Sequence, residues 1–201
     1  MQIKIKDNIK EFKKGLDKVA RQKLPQITRS AVNNTLFGLR KEMIKQTVKK
    51  LDRPTPFTQN AFHVNKMKGK MLSGSLVIKD TQASYLSYAI DGGLRDESKL
   101  LPIPYKPNAR LNKYGNIIGK RTGLIKKKSQ FIASIKGITG VWERYNKGKS
   151  VKLIIGFKET ANYEGGKFPF YKIGRKYIDS TFTRHLKSAY KFRMKQKTWW
   201  I

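Results

Sequence analysis

The longest helical pattern in the chain is framed by prolines. Apolar side chains recur with the 3.6-residue period of a helix from Gln26 to Leu51, with Pro25 in front of the run and Pro54 and Pro56 behind it. Proline fits the first turn of a helix, where its missing N–H would have no partner, but it cannot continue one. We therefore predict one long helix over this run.

Two other segments also show the helical period. The first runs from Asp7 to Leu24, with a helix-capping side chain at Asp7 or Asn8, and Pro25 makes its junction with the long helix either an elbow or a kink. The second covers about 176–196 and ends the chain with a basic face opposite an apolar one. Helices are thus predicted over about 7–51 and about 176–196.

The period changes to the two-residue alternation of strands in the middle of the chain. Alternating segments occur within about 61–90, including Ser84–Ile90, and again within about 131–157. Glycine-containing turn sequences separate them, which is typical of antiparallel hairpins. Two groups of antiparallel strands are therefore predicted.

The segment from about 92 to 128 fits neither period. It contains Pro102, Pro104 and Pro107 and several glycines, and we interpret it as a long irregular arm that neighbouring subunits order. The complete prediction is an α+β fold in a single domain over residues 1–201. Its N-terminal helices and C-terminal helix pack on a mainly antiparallel sheet that carries the arm.

The net charge points to the class of partner. Lysine and arginine number 45 against 13 aspartate and glutamate, a formal net charge of +32, while the hydrophobic content of 38% suits a folded domain. An excess this large indicates a polyanionic partner, with nucleic acid as the leading candidate. Because 34 of the 45 cations are lysine, sequence-independent contact with the phosphate backbone is favoured over readout of base edges.

The cations form a stripe on each of the three predicted helices, and a further run of three lysines lies in the arm. One lysine stripe on a helix is normally just a solvated face, but like charges four residues apart repel each other, and three such groups in one chain favour a polyanion. The predicted DNA-binding residues are Lys41, Lys45, Lys49, Lys126, Lys127, Lys128, Arg184, Lys187, Lys191 and Lys195.

Little in the sequence indicates catalysis, and we expect no cofactor and no metal. Cysteine is absent, which excludes disulfides and thiolate metal sites, and His63 and His185 are too few for a histidine-based centre. The enzymatic alternative is a metal-dependent nuclease, in which Glu97 and Lys99 would act with Asp80 or Asp91 upstream. A run of 18 apolar residues and a signal peptide are also lacking, so we expect synthesis in a cytosol and no membrane span.

Several short motifs resemble a known family. Ala31-Val-Asn-Asn-Thr in the long helix, Phe131-Ile-Ala followed by Gly140-Val-Trp-Glu-Arg, and the closing basic helix resemble the minor tail protein Z, or tail completion, family of long-tailed phages. Tyr88-Ala-Ile-Asp-Gly-Gly is similar to a signature of related tail-joining components. The order of elements matches along the chain, and residue matches cover about a quarter of it.

The resemblance implies a non-enzymatic virion protein. Such a protein lies at the head-proximal end of the tail, is assembled in the host cytoplasm, and contacts the double-stranded DNA of the genome end. Its implied partners are the tail tube and the tail terminator or connector proteins, and its implied assembly is a homo-oligomeric ring, with a hexamer as one option. The alternative from another class is a stand-alone basic nucleic-acid-binding protein, such as a ribosome-associated one.

Overall fold

The computed structural model describes residues 19–69, 73–118, 123, 125 and 127–195, and helices form both ends of this part of the chain. A π-helical turn, Val19–Lys23, runs directly into the long helix α1. The predicted long helix is confirmed to within two residues at its start and one at its end. The α-helices are α1 (Leu24–Lys50), the single turn α2 (Pro56–Gln59), α3 (Asp80–Ile90) and α4 (Phe170–Lys195).

The strands form two antiparallel sheets. The smaller sheet is a hairpin of β1 and β2, and the larger has four strands in the order β3-β6-β5-β4. All pairings are antiparallel, so the predicted α+β class with a mainly antiparallel sheet is confirmed. The strands are β1 (Phe62–Asn65), β2 (Ser75–Ile78), β3 (Gly93–Pro104), β4 (Gln130–Ile135), β5 (Ile138–Tyr145) and β6 (Ser150–Tyr163).

The chain divides into two compact units. The helical unit comprises Met1–Gln46, Asn60–Lys79 and Phe170–Ile201, as far as these are described, and the sheet unit comprises Thr47–Gln59 and Asp80–Pro169. The units alternate along the sequence, and the prediction of one domain over residues 1–201 stays a prediction. Residues 7–18 of the first predicted helix lie outside the described residues.

In the helical unit, α1 contacts both the hairpin and α4. The guanidinium of Arg40 donates to the carbonyl of Phe62 at 3.0 Å, which ties α1 to β1. The Phe62 ring in turn stacks on the ring of Phe170 at the start of α4, with centroids 6.3 Å apart. Phe62 and Met43 are each only 1% exposed, so these contacts lie at the core of the unit.

The prediction of a strand over Ser84–Ile90 is wrong, because this segment belongs to α3. Leu86, Tyr88 and Ile90 alternate with the small residues Ser87 and Ala89, which imitates a strand over a few positions. The buried side chains of the helix, Gln82 and Leu86, are instead four residues apart and share one helical face. On the sheet, Tyr88 of α3 packs against Tyr163 of β6, with ring centroids 5.4 Å apart.

The prediction of an irregular arm over 92–128 is also wrong for much of its length. Residues 93–104 are strand β3, which pairs with β6 at the edge of the sheet. An edge strand tolerates Pro102 and Pro104 because one side of it needs no N–H donors. Further along, Ala109 and Ile117 pack on the buried cluster of Val141, Ile154 and Ile155, so this segment is ordered by its own sheet.

The ends of two other elements differ from the prediction. Strand β6 continues to Tyr163, whereas the alternation ended at about 157. Helix α4 begins at Phe170, about two turns before the predicted start, and Gly174 lies inside it. Glycine lowers helix propensity, which hides the start of this helix in the sequence, although a β-carbon at this position would only be in ordinary contact with Met43.

Candidate nucleic-acid interface

The predicted basic stripes of the helical unit lie on two helices that pack against each other. Near the start of α1, Ile27 and Ala31 form a buried cluster with Ala189 of α4, and Phe182 packs against this cluster. One turn further along α1, the Thr35 hydroxyl is 2.9 Å from Nδ1 of His185. As the residue numbers of the contacts increase along α1, those of their partners on α4 decrease. The two helices are therefore antiparallel.

A glycine lets the helices approach closely in the middle of this contact. Any side chain at Gly38 would overlap the hydroxyl end of Tyr177. A β-carbon at Gly174 would lie 3.6 Å from the terminal methyl of Met43, in ordinary contact. The contacts from Ile27 to Met43 therefore fix how each helix is rotated about its own axis.

One side of the helix pair is a groove. Leu39 and Met43 of α1 line it together with Arg175 and Ile178 of α4 and residues of strand β2, around a volume of about 420 Å³. Asp179 also lines this groove. The groove identifies the side of the pair on which the hairpin lies.

Six of the predicted cations lie on the other side of the pair. At about 100° per residue, Lys41 and Lys45 are displaced from the α4-facing residues of α1 in the direction opposite to Leu39 and Met43. On α4, the predicted cations from Arg184 to Lys195 are likewise displaced from the α1-facing residues, in the direction opposite to Arg175. We call the resulting surface the basic helix face, formed by Lys41, Lys45, Arg184, Lys187, Lys191 and Lys195, all of them exposed.

The basic helix face has no compensating acid among the described residues. The described part of the helical unit contains two side-chain carboxylates, Glu42 and Asp179. Glu42 accepts a hydrogen bond from Gln46 at 2.7 Å, and Asp179 lies on the groove side. No ion pair joins any member of the face to a carboxylate within the described residues. These like charges therefore repel one another at close range.

The remaining predicted cations are not among the described residues of the helical unit. Lys49 is exposed but belongs to the sheet unit, as does the exposed Lys128, and Lys126 lies outside the described residues. Lys127 forms an ion pair with Glu143, in which its ammonium nitrogen lies 2.8 Å from a carboxylate oxygen. The prediction that Lys126, Lys127 and Lys128 bind DNA stays a prediction, with Lys127 already paired to Glu143.

Glu143 is held as an anion on the sheet. The hydrogen bond from Lys127 lowers the pKa of this carboxyl, and burial of the group opposes the effect only in part. Lys152 lies 3.8 Å from the second carboxylate oxygen and lowers the pKa further. The resulting ion pair belongs to the structure of the sheet, and the charge of Lys127 is neutralised by it.

A basic cluster that the stripes did not include lies at the turn between β5 and β6. Arg144, Lys147 and Lys149 are exposed there, within six residues of the sequence. The sequence Asn146-Lys-Gly-Lys is one of the glycine-containing turn sequences that predict hairpins, and it includes two of these cations, Lys147 and Lys149. The predicted cations lie on helices or in the run of three lysines at 126–128, and the cations of this turn are interrupted by Tyr145, Asn146 and Gly148, so no stripe or run marked them.

The residues of the nuclease alternative lie on different elements. Asp80 is the first residue of α3 and Asp91 follows its end, whereas Glu97 lies within strand β3 and not in a loop. Across the described ranges, no three His, Asp or Glu side chains are grouped so that they could hold a metal ion. In the same part of the chain, every helix is too short or too polar to cross a membrane.

Comparisons of the chain with protein-family models, with curated proteins and with solved structures give no match. The basic helix face and the turn cluster therefore stand on their geometry alone.

Proposed function

We propose that this chain is a structural protein of a bacteriophage tail, a tail completion protein that holds the genome end by sequence-independent contact with phosphates. The observation that carries the proposal is the basic helix face, where six exposed cations from two antiparallel helices share one side of the unit. The resemblance of the sequence motifs to tail completion proteins supports the place in the virion. The overall charge of +32 supports DNA as the partner.

The dimensions of the face suit a duplex. Met43 lies beside Gly174, so Lys45 is about level with Lys172, the third residue of α4, and Lys195 is the last. At about 1.5 Å of rise per residue, the cations span roughly 35 Å along the helix pair. One turn of B-DNA is about 34 Å long, so phosphates of a full turn come within reach.

The composition of the face explains why binding would not depend on sequence. Five of its six members are lysines, whose ammonium groups act as hydrated point charges, and one is Arg184. Phosphate contacts fix a protein on DNA without reading the bases. A protein that receives any genome end, whatever its sequence, requires this property.

The first experiment measures the affinity of the purified chain for unrelated 20-base-pair duplexes as salt is varied. Six phosphate contacts predict a slope of log K against log salt of about −5, since each contact contributes about −0.9. The duplexes should differ little in affinity. A slope near zero, or strong preference for one sequence, would contradict the proposal.

A second experiment distinguishes the tail protein from a stand-alone nucleic-acid-binding protein, which would bind DNA equally well. The chain is expressed with the other virion components and assemblies are purified under conditions that remove free DNA. We expect the chain in ring-like assemblies with tail tube and terminator or connector proteins. Recovery of the chain only with nucleic acid would favour the stand-alone alternative.

A further inference from the structure

The turn between β5 and β6 closes a two-stranded ribbon, and the last two residue pairs of this ribbon, Arg144–Val151 and Tyr145–Ser150, lie beyond the pairs that β3 and β4 make with these strands. The two strands stay paired up to Tyr145 and Ser150, and the connection between them is a short 3₁₀ turn. Asn146, Lys147 and Gly148 all have positive φ angles, of 53°, 53° and 88°. Three successive left-handed residues reverse the chain abruptly, so the turn does not form a wide loop.

The charge at this turn is of one sign. Arg144, Lys147 and Lys149 are exposed, and the sequence contains no acid between Glu143 and Glu159. Glu143 itself is buried and bound to Lys127, so it does not neutralise the turn. Within the described residues, no carboxylate pairs with any of the three cations.

The three cations lie at different places on the ribbon, with Arg144 on one face against the ring of Phe131 and the two lysines in the turn. Side chains of successive strand residues alternate between faces, so Arg144 and Tyr145 lie on opposite faces of the ribbon. The Arg144 guanidinium lies 4.9 Å from the ring centroid of Phe131, while Lys152 lies 5.8 Å from that of Tyr145. The two remaining lysines occupy the apex. A flat anionic surface could meet only part of this arrangement, whereas a groove with phosphates on both sides could meet all of it.

The ribbon has the size of a groove-binding element. Paired strands are about 4.8 Å apart, and the major groove of B-DNA is about 12 Å wide and 8.5 Å deep, which admits a two-stranded ribbon. Tyr145 is 43% exposed at the same end, where its side chain could contact a sugar. Long lysine side chains at the apex would reach the phosphates that border the groove.

We propose that this basic hairpin tip, residues 144–149, is a second duplex-binding element that enters the major groove. Arg144, Lys147 and Lys149 would contact phosphates on its two sides. The inference rests on the proposed function in taking duplex DNA as the polyanion. It assigns the contact to residues outside the basic helix face, so the two can fail separately.

The test compares three purified proteins on one 20-base-pair duplex across a salt series. They are the unmodified chain, the tip variant K147Q/K149Q, and the control variant K136Q/K158Q. The control removes two exposed lysines from the same sheet, outside the tip. Two lost phosphate contacts should reduce the magnitude of the salt slope by about 1.8 for the tip variant, and the control should keep the original slope.

A second duplex locates the contact in a groove. Bulky substituents on the C5 position of its pyrimidines fill the major groove and leave the phosphates in place. The unmodified chain should bind this duplex at least about tenfold more weakly, whereas the tip variant should bind the two duplexes with similar affinity. Occupying the minor groove with a small-molecule binder should leave the affinity of the unmodified chain unchanged.

An unchanged slope for the tip variant would overturn the inference, and so would equal affinity of the unmodified chain for filled and open grooves. If variants of the basic helix face still lose affinity in that case, the proposed function survives. No measurable duplex binding by the unmodified chain would overturn both. Urea unfolding of all three proteins should give the same midpoint, because the substituted lysines are exposed.

Discussion

Neutralising half of the basic helix face should separate DNA binding from folding. The variant K187Q/K191Q/K195Q removes three exposed charges, spaced four residues apart, from the last three turns of α4. None of the three forms an ion pair within the described residues, so no stabilising partner is lost.

The expected change in stability is small because two terms oppose each other. Each like-charge pair four residues apart destabilises a helix by about 0.2–0.5 kcal/mol, so removing two such pairs stabilises α4. Lysine in the last turn interacts favourably with the helix dipole, by about 0.3–1 kcal/mol, and that contribution is lost at Lys195. The free energy of unfolding should therefore change by no more than about 0.5 kcal/mol.

The expected change in binding is large. Three lost phosphate contacts reduce the magnitude of the salt slope by about 2.7, which corresponds to a loss on the order of 500-fold in affinity at 0.1 M salt relative to 1 M. Fluorescence anisotropy with a labelled duplex measures the affinity, and urea unfolding measures the stability. The control is K66Q/K68Q/K79Q, which removes three exposed lysines from the hairpin of the same unit.

Two results would refute this reasoning. Equal loss of affinity in the hairpin control would show that only net charge matters and that the face has no special role. Unfolding of K187Q/K191Q/K195Q, with the control intact, would show that these side chains support packing against protein.

Two further predictions concern the sheet unit. Gly140→Ala should lower the free energy of unfolding by about 1–3 kcal/mol, because its β-carbon would overlap the backbone carbonyl of Ile155. The control is Gly156→Ala on the paired strand, whose β-carbon meets nothing closer than 3.9 Å and which should cost less. Equal effects of the two substitutions in urea unfolding would show that the strands can shift to make room. Lys127 lowers the pKa of Glu143 from its ordinary 4.5, so the ion pair contributes stability above about pH 4.5, and this stability is lost as pH falls through the lowered pKa. In Glu143→Gln, the free energy of unfolding should therefore depend less on pH in that range. An unchanged pH dependence in Glu143→Gln would contradict this assignment.

The helical elements could be predicted because their signals are local. The run between Pro25 and Pro54 keeps one period for seven turns, and α1 matches the prediction closely. The exposed stripe at Lys41 and Lys45 followed directly from that period. What the sequence could not supply is the rotation of α1 against α4, which depends on contacts such as that of Gly38 with Tyr177, far apart in the chain. Only those contacts bring the two stripes to one side.

The errors in the middle of the chain have a different cause. Strand β3 carries two prolines, which exclude a central strand but not an edge strand, and the position of a strand in a sheet is a non-local property. Helix α3 is short, and over eleven residues the apolar positions fit both periods. The partner of Lys127 was also hidden, because Glu143 lies sixteen residues away on another strand.

The central claim is that the basic helix face holds the genome inside an assembled tail, and cross-linking in particles tests it most directly. A photo-activated cross-linker is placed at position 191, on the face, or at position 179, on the groove side of the same helix. The account predicts that the purified particles contain the chain and that position 191 cross-links to packaged DNA while position 179 does not. Cross-linking of position 191 to protein alone, or absence of the chain from the particles, would contradict it.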